Sequence, residues 1–167
     1  MMRRPAVGSI VTVIAVLIFA KVAAGQAPRT QARKLPPAVA KAVDATRPGA
    51  EIDKLTIETE HGLTFYDFEF KHGQGEMDVL VDGTVLDVAT VIQMKDLPVV
   101  VAATIRKVAG KRTIKQLTRS EVRAEIVSEG GRARVATLSP AKYVYEAEFA
   151  GEEVEVAGDG TIIKRGK

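Results

Sequence analysis

A set of short blocks occurs twice along this chain in the same order, and it limits the possible architectures more than any other feature. Leu35-Pro36-Pro37 opens an apolar pattern that returns at Leu97-Pro98, and Ile52-Asp53-Lys54-Leu55 returns at the same offset as Ile114-Lys115-Gln116-Leu117. Tyr66-Asp67-Phe68-Glu69-Phe70 is echoed by Tyr145-Glu146-Ala147-Glu148-Phe149. Asp82-Gly83-Thr84-Val85-Leu86 is echoed by Asp159-Gly160-Thr161-Ile162-Ile163. The last two offsets are longer, which places an insertion before Tyr145. Matching blocks in one order indicate a duplicated unit, and small units bury too little surface to stand alone, so the copies should lean on each other.

Each copy changes period partway. Leu35, Ala38, Val39, Ala42 and Val43 fall on one helical face, as do Leu97, Val100, Val101, Ile105 and Val108. Proline at the first turn costs no helical hydrogen bond, while Arg47-Pro48-Gly49 and Gly110 act as stops. Beyond the helices the period becomes two: Tyr66, Phe68 and Phe70 alternate with Asp67, Glu69 and Lys71, and Met77, Val79 and Val81 continue the pattern. The Asp-Gly pairs predict tight hairpin turns with both central residues at positive φ. The expected fold class is α+β, as two tandem repeats over residues 35–96 and 97–167. Each repeat would be a helix packed on an antiparallel sheet of about four strands. The second has extra residues from Val122 to Leu138, expected as an extended hairpin.

The N-terminus predicts export. Arg3 and Arg4 precede an apolar run from Ala6 to Ala20, Lys21 ends that run, and Val22-Ala23-Ala24-Gly25 supplies small residues. This is the three-part pattern of a signal peptide, expected over residues 1–25, and the run falls short of the roughly 20 residues that span a bilayer. A flexible linker is expected over 26–34. Loss of Arg3, Arg4 and Lys21 takes the net charge from +3 to 0, leaving no field that would gather nucleic acid or an anionic membrane. With no cysteine, disulfides, thiolate metal sites and a thiol nucleophile are all excluded.

Few residues could carry chemistry. His61 and His72 each precede a glycine at a strand end and lack a metal-ligand spacing. None of Ser9, Ser120, Ser128 and Ser139 sits in a Gly-x-Ser-x-Gly elbow. Glu76, Asp78, Asp82 and Asp87 surround the first Asp-Gly turn without the spacing of a calcium loop. The pairs Asp67/Glu69 and Glu146/Glu148 are expected on an exposed polar sheet face.

On the Leu-Pro helix starts, the Tyr-x-x-Glu strands at Tyr66 to Glu69 and Tyr145 to Glu148, and the Asp-Gly hairpins, residues 35–167 resemble the PepSY-like family, grouped by fold with the β-lactamase inhibitory protein. The resemblance implies a tandem arrangement with one concave sheet surface, which the inhibitor uses to grip an enzyme. The chain departs from the inhibitor in having no cysteine for a disulfide in each repeat and no Trp. No inhibitory residue carries across.

The expected function is that of a non-catalytic, secreted or periplasmic binding or inhibitor-like module without cofactor or metal. It would contact an envelope or extracellular protein or peptide through its sheet surface, with no stable membrane insertion after signal cleavage. The alternative is an ion-responsive or structural envelope protein using the acidic sheet face. The candidate partner contacts are Arg123, Arg132, Arg134, Tyr143 and Tyr145 on and beside the extended hairpin, because arginine and tyrosine are favoured at binding hot spots.

Overall fold

The computed structural model describes residues 35–129 and 132–166, together with the backbone of a two-residue strand, β1, at Thr12–Val13. The expected linker, and the rest of the expected signal peptide, lie outside the described residues. Helix α1 (Pro37–Thr46) is followed by β2 (Ile52–Glu60), β3 (Leu63–Phe70), β4 (Gly75–Leu80) and β5 (Val85–Val91). Helix α2 (Val99–Ala109) is followed by β6 (Gln116–Glu129), β7 (Arg132–Phe149), β8 (Glu152–Ala157) and β9 (Ile162–Gly166).

The expected α+β fold of two tandem repeats, each a helix on its own antiparallel sheet of about four strands, is corrected. Strand β5 pairs with β6 from Asp87↔Val122 to Val91↔Thr118, so β2 to β9 form one continuous antiparallel sheet in chain order. A closed second sheet would have left the β5 edge with unsatisfied N–H and C=O groups, and pairing with β6 removes that cost. β1 joins the sheet beside the far part of β6, with Thr12 opposite Ser128 and Val13 opposite Val127.

Both helices lie on the same side of this sheet. Val39 and Val43 of α1 pack with Tyr66, Phe68, Phe70, Met77, Val79 and Val88. Val101, Ala102, Ile105 and Ala109 of α2 pack with Leu117, Tyr145, Ala147, Phe149, Val154 and Val156. The α2 face differs from the periodic expectation: Val100 is exposed, and the small residues Ala102 and Ala109 take the contact.

A third apolar cluster lies on the opposite side. Leu80 and Leu86 pack there with Ala124 and Ile126 of β6, joined by Leu63, Phe65, Ala133 and Val135. Ala124 and Ile126 lie on β6 beyond Val122, where its pairing with β5 ends, and Leu80 is on β4, which is not a neighbour of β6 in the sheet. The extended β6–β7 hairpin therefore bends over Leu80 and Leu86 on that face. Irregular registers in the β4–β5 and β6–β7 pairs lie beside the bend, as expected of bulges, which increase local twist.

The turns also refine the sequence reading. At Asp82-Gly83 only the glycine takes positive φ (89°), and the Asp82 carboxylate accepts a hydrogen bond from the Thr84 N–H at 2.9 Å. Asp159 does the same for Thr161. Two successive residues at positive φ occur instead at His61-Gly62, at 51° and 79°, and at His72-Gly73, at 59° and 65°.

Candidate functional site

Strand alternation sends every second side chain away from the helices, and on the central strands those side chains are acidic. Asp67, Asp78 and Asp87 stand opposite one another across β3, β4 and β5, with Glu69 opposite Glu76 in the neighbouring row. On the other half of the sheet Glu146 faces Glu155, and Glu148 faces Glu153. These side chains are half-buried for the most part, not fully exposed as the sequence suggested. Like charges placed directly opposite repel, and partial burial strengthens the effect.

The protonation equilibria respond as this predicts. Burial, then the Glu76 and Glu69 carboxylates, push Asp67 up to about 6. Burial, then Glu153 and Glu155, push Glu146 up to about 7. Asp78 is raised by burial and by the charge of Asp87. Asp87 is raised mainly by burial, opposed by a hydrogen bond from the Asp78 backbone. Glu76 contributes to the shifts of both Asp67 and Glu146, so the carboxylates act as one electrostatic unit across the β5–β6 seam.

Cations flank this row. Lys54 Nζ donates to Glu69 at 2.7 Å, and Lys164 Nζ donates to Glu153 at 3.0 Å. Lys164 also lies 3.3 Å from Oε1 of the buried Glu155, although that oxygen receives no aligned hydrogen bond. At one end of the face, the apolar side of the extended hairpin rises over Leu80 and Leu86. The result is an acidic floor with one apolar wall. Among the described residues, no group of three or more carboxylate or imidazole side chains is gathered closely enough to hold a metal ion.

The expected contact residues do not form one patch. Arg132 and Arg134 are exposed near the hairpin tip, while Tyr143 pairs with Glu121 near its base, six and eight residues along β6 from the partners of Arg134 and Arg132, roughly 20 to 26 Å at ~3.3 Å per residue. Arg123 donates to Glu121 at 2.9 Å. Tyr145 is corrected: it is a core residue, 6% exposed, beneath α2. Sequence reasoning named neither Arg119 nor Arg47 as a contact residue, and placed Arg47 only in a helix stop. The Arg119 guanidinium lies 5.7 Å from the centre of the exposed Tyr143 ring, and Arg47 reaches from the end of α1 onto β5. Arg119 stands two residues before Glu121 on β6 and so shares its face, a period-two signal that was available in the sequence.

No protein-family model matches the chain, and no curated protein matches it in sequence. Membership of the PepSY-like family therefore has no support beyond the motifs that suggested it. The solved structures similar to this chain include a BLIP-like protein from Bacteroides fragilis, with 13% identity, 80% of this chain and 86% of that chain covered, and a TM-score of 0.47. A DUF2874 family protein from Bacteroides ovatus has 12% identity, coverage of 80% and 87%, and a TM-score of 0.49. A protein from Bacteroides eggerthii whose description suggests the periplasm has 12% identity, coverage of 80% and 89%, and a TM-score of 0.49. Likenesses at this level carry no statement about the activity or partner of this chain.

Proposed function

We propose that this protein is a non-catalytic binding module of the cell envelope or its exterior, and that it holds a basic segment of a protein or peptide against the acidic face of its sheet. The observation that carries this reading is the cross-strand row Asp67, Asp78 and Asp87, with Glu146 on the same face further along the sheet and close enough to Glu76 to feel its charge. These carboxylates are crowded on the sheet face that the helices leave open, at a cost in mutual repulsion that a cationic partner would remove. The pattern supports recognition, because carboxylates crowded on one face present a field that a cationic segment complements. Export rests on the N-terminal sequence pattern. Among the described residues no helix is long and apolar enough to cross a membrane.

The test is calorimetric titration with a lysine-rich peptide. Binding that weakens with salt and drops about tenfold in Asp67→Asn supports the reading. Equal heats for wild type and for an Asp67→Asn/Asp78→Asn double variant would rule it out. So would a preference for calcium over the peptide, which would favour an ion-responsive role.

A further inference from the structure

The helix side of the sheet carries charge of the opposite sign. The α1 core reaches as far as Val88 on β5, and the α2 core begins at Leu117 and Tyr145. Between these footprints the sheet bears Thr90, Arg119, Glu121 and Tyr143. Thr90 stands opposite Arg119, and Glu121 stands opposite Tyr143. From the end of α1, Arg47 donates to the Ala89 carbonyl at 2.7 Å and to Thr90 Oγ1 at 3.0 Å, and so lies over the strand that pairs with β6 at Arg119. Arg47 is also close enough to Arg123 to feel its charge. Three guanidinium groups therefore border a strip of sheet on which the structure pairs one carboxylate, Glu121, with Arg123.

The rest of the strip is built for a protein rather than for a free ion. Tyr143 is 45% exposed under the Arg119 guanidinium. The Tyr143 carbonyl borders Gly158, and Gly160 of the same turn packs against the Val100 carbonyl at the start of α2. There Val99 and Val100 are exposed at 86% and 51%. An exposed aromatic ring, stacked arginine and an adjacent apolar edge are features of a protein interface, whereas a phosphate would use the guanidinium groups alone.

We propose that this trough between the two helices, lined by Arg47, Arg119, Arg123 and Tyr143, binds an acidic segment of a partner protein that also carries apolar residues. It lies on the opposite side of the sheet from the acidic row, so the two surfaces can be tested separately.

The experiment titrates the purified protein with a short peptide alternating glutamate and valine, following arginine side-chain and Tyr143 ring signals by NMR. The glutamate peptide should shift the Arg119, Arg123 and Tyr143 signals, and its glutamine counterpart should bind at least about tenfold more weakly. Arg119→Gln and Arg123→Gln should each lower the affinity by about tenfold while melting as wild type does. Asp78→Asn, on the other face, should leave the glutamate peptide's affinity unchanged and should reduce only the response to a lysine-rich peptide. The proposal is overturned if both arginine variants bind like wild type, if the two peptides bind equally, or if inorganic phosphate at matched concentration displaces the glutamate peptide.

Discussion

Asp78 and Asp87 stand directly opposite each other on β4 and β5, and the Asp78 backbone donates a hydrogen bond to the Asp87 side chain. Both carboxyls are raised above the ordinary range, and burial is the leading cause for each. Asp67 and Glu146 are likewise pushed up, to about 6 and about 7. The folded protein therefore retains protons that the unfolded chain releases near pH 4. This stabilisation is present at low pH and is lost as pH rises through the folded values. Glu51 and Asp159 are shifted downward instead, so they titrate below this window and do not offset it. The melting temperature should fall by about 5 °C or more between pH 5 and pH 8. A flat or rising profile by circular dichroism would show that the carboxylates are not crowded in solution.

The corresponding amides should behave in the opposite way. Asp78→Asn and Glu146→Gln remove charges that repel their neighbours. At pH 8 each should raise the melting temperature by about 3 °C, and each should flatten the pH profile. Destabilisation by both at pH 8 would mean that these carboxylates are ionised and satisfied by partners.

The individual elements were legible in the sequence because one period governs each of them, although their assembly into one sheet was not. The alternation of Tyr66, Phe68 and Phe70 with Asp67 and Glu69 places the first group in the core and the second on the far face, as found. The joining of β5 to β6 was not legible, because strand edges carry no side-chain signal that names their partner. The fate of the two tyrosines was also hidden. Tyr143 and Tyr145 are two residues apart and point to the same side of β7, yet they differ in exposure, 45% against 6%. The difference depends on where α2 ends above the sheet, a tertiary fact. The acidic floor was half legible: its alternation was plain, but its partial burial was not, because alternation names a face and not what surrounds it.

The hairpin accordingly has one structural side. Leu86 is 1% exposed and packs against Ala124 and Ile126. Leu86→Ala should cost about 3 kcal/mol in chemical denaturation. Arg132→Ala, exposed near the hairpin tip, should change stability by less than about 0.5 kcal/mol. Equal effects of the two substitutions would contradict the packing of the hairpin onto the sheet.

Two glycines separate backbone strain from steric contact. Gly62 and Gly75 both hold positive φ, 79° and 98°. A Cβ on Gly62 meets nothing nearby, whereas one on Gly75 would run into the Ala89 carbonyl that also accepts from Arg47. Gly62→Ala should cost about 1 kcal/mol. Gly75→Ala should cost at least about 3 kcal/mol, since the adjoining β4–β5 pairing must shift. Similar unfolding midpoints for the two variants would place β5 further from Gly75.

The central claim is that the open face of the sheet holds protons that a basic partner displaces, and proton release on binding tests it most directly. Calorimetry of a lysine-rich peptide near pH 6.5, repeated in buffers of different ionisation heat, counts the protons exchanged. Asp67 and Glu146 titrate near this pH, so the account predicts net release of about one proton per peptide bound, and little release in the Asp67→Asn/Glu146→Gln variant. Peptide binding with no proton release, or with proton uptake, would contradict it.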